Sequence, residues 1–246
     1  MTLTPTEQRV YKAFYNQVCT LEDVKGLLKN YRQAVVACKN LVEKKYFKRV
    51  KGGLYVVVPF ELAPDTNDSY VPDRYLVADR MIKDRFLSHH TALELHCEAK
   101  QLPTVYVTSS GRVPDVNFGG VDYRIITTKH FFGFIEIERK GCMIRVSDRE
   151  RTVIDCMRQL KFCNGFDEVK RTLPKIGEIN FDMLLHYMDK IGEKSLYSRI
   201  GYAMELLKEQ MGTPQGFLDA AKQKLGSRVY YINKNGKLVK EWKVIV

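Results

Sequence analysis

Apolar positions along the first sixty residues form three stripes of helical length. Thr4-Pro5-Thr6-Glu7 predicts the start of a helix, because the threonine can cap it, the proline suits its first turn and the glutamate completes a capping box. Thr20 is a plausible cap for a second, short helix, and Asn30 for a third. We expect the third helix to bury the apolar stripe Val35, Cys38, Leu41 and Val42.

Two β-rich runs follow the third predicted helix. Tyr46–Val50 and Leu54–Val58 flank Lys51-Gly52-Gly53, which predicts a hairpin with several basic residues. Three short helices followed by a basic hairpin are typical of a winged helix-turn-helix. In that fold the third helix lies in the major groove of DNA and the hairpin lies along the backbone.

The predicted inner stripe also defines an outer face of the third helix. With a period of 3.6 residues, this face carries side chains suited to base edges: arginine for guanine, glutamine or asparagine for adenine, and the small Val36 and Ala37 for thymine methyls. The phosphates would then be contacted by Lys44, Lys45, Lys48, Arg49 and Lys51. The predicted DNA-binding residues are Asn30, Tyr31, Arg32, Gln33, Val36, Asn40, Lys44, Lys45, Lys48, Arg49 and Lys51.

Positive charge is concentrated in the same segment. The 246 residues carry 40 Lys and Arg against 29 Asp and Glu, a formal net charge of +11. Residues 1–60 hold eleven of the basic and four of the acidic residues, which gives +7 for this quarter of the chain. This asymmetry favours a polyanion-binding module joined to a less charged body.

The remainder of the chain predicts a larger domain of mixed type. A polar, turn-rich stretch over 61–72 is interpreted as a linker between domains at 1–60 and 73–246. The expected fold class is therefore α+β, with an N-terminal winged helix-turn-helix followed by a larger mixed α/β domain. Helices are predicted near 75–81, 88–97, 147–157, 165–172, 180–188 and 195–209, strands at 104–108, 121–127, 134–137 and 143–146, and a terminal hairpin over 229–246.

Several motifs occur in a distinctive order after the predicted winged helix. They are Tyr75-Leu-Val-Ala-Asp79, Ser88-His-His-Thr-Ala-Leu-Glu-Leu-His96, Pro103-Thr-Val-Tyr-Val107, Val146-Ser-Asp-Arg-Glu-Arg-Thr-Val-Ile-Asp155 and Arg199-Ile-Gly-Tyr202. In this order the chain resembles the AbiEi family, the antitoxins and autoregulators of type IV toxin–antitoxin systems in bacteria and archaea.

The resemblance implies an antitoxin-like second domain and a function in transcriptional regulation. The partners it implies are double-stranded DNA and, through the second domain, either a nucleotidyltransferase-like toxin or a protein of the basal transcription machinery. Some members of such families act as stand-alone repressors or activators. A toxin-neutralising antitoxin with autoregulation therefore stays open beside a stand-alone regulator.

The histidines and carboxylates that could form a catalytic or metal site have simpler structural interpretations. His89, His90 and His96 fall on one predicted helix without further ligands at zinc spacing, which favours hydrogen-bonded histidines. Three carboxylates follow Ser147: Asp148, Glu150 and Asp155. The favoured interpretation is a capping box of Ser147 with Glu150, together with surface ion pairs between the carboxylates and Arg149 and Arg151. We therefore expect no enzyme activity and no cofactor.

A Mg²⁺-dependent nuclease guided by the winged helix is the alternative enzyme. Pro114-Asp115 followed by Glu138-Arg139-Lys140 fits a loose pattern of two carboxylates and a lysine around Mg²⁺. Pro72-Asp73 followed by Glu98-Ala99-Lys100 fits the same pattern, so its specificity is low.

The compartment follows from cysteine usage and hydropathy. The six cysteines form no C-x-x-C pair, so we expect them to be core residues of a protein in the reducing cytoplasm. They are Cys19, Cys38, Cys97, Cys142, Cys156 and Cys163. No apolar run reaches the length of a membrane span, and the N-terminus lacks the pattern of a secretion signal. We expect a cytoplasmic protein without a membrane partner.

Overall fold

A computed structural model describes residues 2–62, 70, 72–97, 99–233 and 235–246. The predicted linker over 61–72 falls mostly outside the described residues. The fold is of mixed α and β type with several separate sheets, consistent with the expected α+β class.

Residues 2–62, called the N-terminal module below, begin their helices at well-formed caps. Thr4 with Glu7 and Thr20 with Asp23 form capping boxes, and the Asn30 side chain caps the third helix. These contacts confirm the predicted helix starts. The elements in chain order are α1 (Pro5–Ala13), β1 (Val18–Thr20), α2 (Leu21–Leu28), α3 (Tyr31–Glu43), β2 (Phe47–Lys51) and β3 (Leu54–Val57).

The strands of the module form a small antiparallel sheet in the order β1-β3-β2. The β2–β3 pairing confirms the predicted hairpin, and its turn uses Gly53 at φ 76°, a conformation that glycine adopts readily. Strand β1 was not predicted, because three residues are too few for a readable alternation. It pairs along β3, with Val18 opposite Val56.

The inner face of α3 differs from the predicted stripe. Ala34, Ala37, Cys38 and Leu41 are buried, whereas Val35 is 39% exposed. The prediction was wrong for Val35, expected inside, and for Ala37, expected outside. Small alanine side chains let a helix approach its neighbours closely, and this close packing outweighs the hydrophobicity of one valine. Cys38 and Leu41 are buried as predicted.

A buried carboxylate joins α1 to the end of α3. Glu7 is 2% exposed, and its oxygens accept hydrogen bonds from Lys44 Nζ at 2.6 Å and from Asn40 Nδ2 at 2.9 Å. Burial alone would raise the pKa of Glu7. The hydrogen bonds from Lys44, the Thr4 amide and Asn40 outweigh this effect and lower the pKa to about 2.

The rest of the described chain alternates strands and helices before ending in a helical segment. Its first part contains α4 (Arg74–Arg80), β4 (Arg85–Leu87), α5 (His89–Cys97), β5 (Thr104–Ser109), β6 (Val116–Phe118), β7 (Val121–Thr127), β8 (Phe134–Arg139) and β9 (Cys142–Ser147). Its second part contains α6 (Arg149–Arg158), α7 (Phe166–Thr172), α8 (Phe181–Ile191), α9 (Lys194–Leu206), α10 (Lys208–Met211), α11 (Gln215–Gln223), β10 (Tyr230–Tyr231), β11 (Leu238–Val239) and β12 (Val244–Ile245).

Strands β4 to β9 form one mixed sheet in the order β6-β7-β5-β4-β9-β8. The pairs β5–β7 and β4–β9 are parallel, and the remaining neighbours are antiparallel. The short β4 and β6 and helix α11 were not predicted. The predicted terminal hairpin is a small sheet instead, in which β12 lies between β10 and β11 and runs parallel to β10.

Buried apolar side chains of the described residues form three clusters. One cluster is confined to the N-terminal module, and a second joins α6 to α11 with the buried Trp242. The indole packs so closely on α9 that a Cβ at Gly201 would lie 2.0 Å from Trp242 Cζ3. A further cluster contains residues on both sides of the predicted linker, including Val50 and Leu54 of the hairpin and Leu76 of α4.

None of the helices in the described part of the chain combines the length and the apolar character needed to cross a lipid bilayer.

The Glu7 network makes the stability of the module depend on Lys44. Lys44→Met leaves the buried carboxylate without its cation, so we expect the free energy of unfolding in urea to fall by about 2 kcal/mol at pH 7. Lys39→Met is the control on the same helix, because Lys39 is 73% exposed and should change stability by less than about 0.5 kcal/mol.

The same network predicts a pH effect with a definite sign. The pKa of Glu7 is about 2 in the folded chain and 4.5 ordinarily, so its stabilisation is complete above pH 4.5 and is lost as the pH falls toward 2. Lys44→Met should weaken this pH dependence. An equal loss of stability over this pH window in wild type and Lys44→Met would contradict the assignment.

Candidate nucleic-acid interface

The outer face of α3 carries four predicted site residues in exposed positions. Tyr31 is 55% and Val36 56% exposed, and Arg32 and Gln33 are exposed between them. The side chains of Arg32 and Gln33 make no hydrogen bond or ion pair with any described residue. This face also includes Val35, which the sequence prediction had placed inside.

A shallow groove of about 420 Å³ runs between this face and the first turn of α1. Arg32, Gln33 and Val36 line one wall, and Thr4 and Thr6 line the other. The groove therefore offers a guanidinium, an amide and an apolar side chain together. These are the groups that hydrogen-bond and contact base edges in a major groove.

Asn30 acts within the helix rather than at its outer face. Its Oδ1 accepts a hydrogen bond from the Gln33 backbone amide at 3.1 Å, which satisfies one of the amides left free at the start of α3. The preceding Lys29 adopts a left-handed conformation with φ 55° and ends α2, so the two helices are joined by a very short turn.

Asn40 and Lys44, both predicted to contact DNA, make contacts inside the module. Both donate hydrogen bonds to the buried Glu7, and Asn40 also lines the groove. Lys44 also donates to the carbonyl of Thr2 at 3.1 Å. The partner is more than thirty residues away in sequence, so the pattern of α3 alone contained no sign of it.

The hairpin brings further basic side chains beside α3. Lys45 and Arg49 are exposed, and Lys51 is half-buried at the turn, where burial lowers its pKa. Lys48 Nζ donates to the carbonyl of Tyr70 at 3.0 Å, so it ties the hairpin to the chain beyond the module. Arg49 is therefore the hairpin cation best placed to meet a polyanion.

The carboxylates of the nuclease alternative are not brought together. Asp115 precedes β6 and pairs with Arg124 of β7 at 3.0 Å, whereas Glu138 lies on β8 at the opposite edge of the sheet. Five strand spacings of about 4.8 Å separate the two edges of this sheet, which is about 24 Å. In the second match, Asp73 caps α4 and binds Arg139 at 2.8 Å, and residue 98 lies outside the described residues.

The histidines considered for a metal site make hydrogen bonds instead. His90 Nε2 lies 2.8 Å from the carbonyl of Lys100, and His96 Nε2 lies 2.7 Å from the carbonyl of Ser147. His89 Nδ1 faces the hydroxyl of Ser88 at 2.9 Å. Within the described residues, no group of three or more His, Cys, Asp or Glu side chains has the arrangement of a metal site.

The start of α6 differs in detail from the predicted capping box. Asp148, not Ser147, caps the helix, and its Oδ1 accepts from the amide of Arg151 at 2.7 Å. Glu150 accepts from the amide of Asn180 at 2.7 Å. Arg151, expected at the surface, is 1% exposed and bonds to the buried Asp155. This buried polar pair was missed because its apolar surroundings come from distant segments.

Comparison with solved structures shows a shared fold. The crystal structure of the RV2827C protein from Mycobacterium tuberculosis is similar to this chain with a TM-score of 0.65, at 13% sequence identity. The alignment covers 99% of this chain and 92% of that one. At this identity the likeness concerns the fold alone. No family model and no curated protein sequence matches the chain.

The capping function of Asn30 predicts an asymmetry between two substitutions. Asn30→Ala should lower the free energy of unfolding by about 1 kcal/mol, whereas Asn30→Ser should keep most of it, because a hydroxyl can also accept from the helix amides. Urea denaturation of the full chain measures both. Equal destabilisation by alanine and serine would show that the cap is not the source of the effect.

Proposed function

We propose that the N-terminal module is a winged helix-turn-helix and that the chain binds double-stranded DNA as a sequence-specific regulator of transcription. The observation that carries the proposal is the outer face of α3. Arg32 and Gln33 are exposed there and line one groove, and their side chains have no hydrogen-bond partner within the described residues. Polar groups left unbonded on an exposed helix face are available to base edges.

The arrangement of elements supports this proposal. Helices α2 and α3 are joined by a very short turn, and α3 leads directly into the β2–β3 hairpin. A recognition helix flanked by such a hairpin inserts into the major groove while the hairpin follows the phosphate backbone. The hairpin would act as the wing, with Gly52 and Gly53 at its tip.

The distribution of charge supports the same partner. Residues 1–60 carry +7 of the net +11, and the exposed cations of the wing lie next to α3. Contacts between such cations and phosphates release counterions and supply affinity without regard to sequence. Arg32 and Gln33 would then supply the discrimination between sequences.

In this proposal the chain is an AbiEi-like regulator without catalytic activity. The motif order implies the family, and the distance between Asp115 and Glu138 disfavours the nuclease. The regulatory function rests on residues of the N-terminal module, since the shared fold with RV2827C assigns no activity. A toxin or a basal transcription protein remains the partner that the family resemblance implies for residues 73–246.

Discrimination between DNA sequences should depend on the two parallel N–H donors of the Arg32 guanidinium. After selection of preferred duplexes from a random library with the full chain, Arg32→Ala should lose about 1–3 kcal/mol of preference for the selected site over random DNA. Arg32→Lys keeps the charge but not the two parallel donors, so it should lose most of the preference while retaining general affinity. Fluorescence anisotropy with both duplexes measures this.

One result would contradict the assignment of α3 to the interface. In that result, Arg32→Ala and Gln33→Ala both discriminate between the selected and random duplexes as wild type does. Lys12→Ala, on the exposed side of α1, is the matched control.

Wing cations should govern the salt dependence of binding. Arg49→Gln should weaken binding to selected and random duplexes alike and reduce the slope of log K against log salt by about 1, because one phosphate contact is lost. Lys237→Gln removes the same charge from the C-terminal segment and should leave the slope unchanged. A slope that changes equally in both variants would show a general charge effect.

A further inference from the structure

A polar cavity of about 240 Å³ lies where the parallel strands β5 and β7 end. Its walls are formed by the ends of these strands, the start of α5 and one face of α6. Residues that carry its chemistry are His89, Thr108, Lys129, Arg151, Asp155 and Gln159. The crevice at the carboxyl ends of parallel strands is a common position for ligands in α/β sheets.

Helix α6 contributes a buried polar stripe to this cavity. Arg151, Asp155 and Gln159 are spaced by four residues and so lie on one side of the helix. Arg151 Nε donates to Asp155 Oδ1 at 2.8 Å, and its Nη1 donates to the carbonyls of His130 and Phe132 at 2.8 and 3.1 Å. These bonds hold the guanidinium and one carboxylate oxygen in fixed positions.

One acceptor on this stripe has no partner. Asp155 Oδ2 is buried and makes no hydrogen bond with any described residue. Asp155 as a whole is 3% exposed. A buried carboxylate oxygen left without a donor is costly, so Asp155 Oδ2 is an acceptor available to a molecule in the cavity.

His89 forms a wall of the cavity and bonds to neighbouring side chains. The hydroxyl of Thr108 donates to Ser88 Oγ at 2.8 Å, and Ser88 Oγ lies 2.9 Å from His89 Nδ1. The ring also hydrogen-bonds to the side chain of Gln159. Burial lowers the pKa of His89 to about 4, so the ring is uncharged at neutral pH.

The cation at the rim of the cavity has no counterion. Lys129 is exposed and makes no hydrogen bond or ion pair with any described residue, whereas Arg158 is bound to Glu193 at 2.5 and 3.0 Å. The cavity thus presents an unpaired carboxylate oxygen inside and an unpaired ammonium at its edge. Ile126 is its single aliphatic lining residue among those described, so the lining is predominantly polar.

We propose that this cavity binds a small zwitterion of the α-amino acid class. Its ammonium group would donate to Asp155 Oδ2, and its carboxylate would pair with Lys129. The volume of 240 Å³ equals that of about eight water molecules and lies below the range of about 300–1,000 Å³ for pockets that hold drug-sized ligands. A compact metabolite therefore suits the cavity.

Isothermal titration of the full chain with each of the twenty common amino acids tests the proposal. We expect at least one to bind, and its N-acetyl and carboxamide derivatives to bind about tenfold more weakly or not at all, because each loses one charge-assisted hydrogen bond. No binding by any amino acid would overturn the proposal. Binding of inorganic phosphate or of a nucleoside monophosphate in their place would also overturn it.

Two substitutions locate the binding in this cavity. Lys129→Gln, at an exposed position, should weaken binding about tenfold without loss of folding, and Asp155→Asn should do the same if circular dichroism shows it folded. Lys237→Gln is the control for loss of one positive charge and should bind as wild type does. Unchanged binding by Lys129→Gln would overturn the assignment even if Asp155→Asn does not fold.

Discussion

The rotation of α3 about its own axis determines what the N-terminal module presents to solvent. Two kinds of contact fix this rotation. The small side chains of Ala34 and Ala37 allow close packing on the inner side, and the buried Glu7 binds Asn40 and Lys44 at the other end of the helix. Successive residues are about 100° apart around a helix, so a shift of one position would turn Arg32 and Gln33 away from the groove.

The same contacts divide the basic residues of the module into two groups. Lys44 neutralises a buried carboxylate, and Lys48 fastens the hairpin to Tyr70, so both stabilise the fold. Arg49 and Lys51 lie on the hairpin, whose Val50 and Leu54 pack in a cluster with α4. The position of the hairpin beside α3 is therefore held by packing from the larger part of the chain.

Local signals in the sequence were sufficient for helix starts and for the hairpin. Capping boxes at Thr4 and Thr20 involve residues three positions apart, and the turn at Gly53 requires a conformation that glycine favours. Interactions between distant residues could not be read in the same way. Asn40 and Lys44 look like an exposed polar edge of α3 until Glu7, more than thirty residues earlier, is placed beside them.

The larger domain, residues 73–246, was harder to predict because its contacts also join residues that are distant in sequence. Arg151 looks like a surface residue by type, yet strand ends and backbone carbonyls from residues 130 and 132 enclose it. Short strands such as β4 and β6 have three residues each, so neither shows a clear alternation. Their pairing becomes visible only in the assembled sheet, where β4 occupies a central position.

Site-specific photocrosslinking tests most directly whether the outer face of α3 enters a duplex. With p-benzoylphenylalanine at position 36, the account predicts crosslinks to bases of the selected duplex, because Val36 is exposed between the groups proposed to read it. The same probe at position 183, an exposed methionine on α8, should give none. Crosslinking from position 183 but not from position 36 would contradict the account.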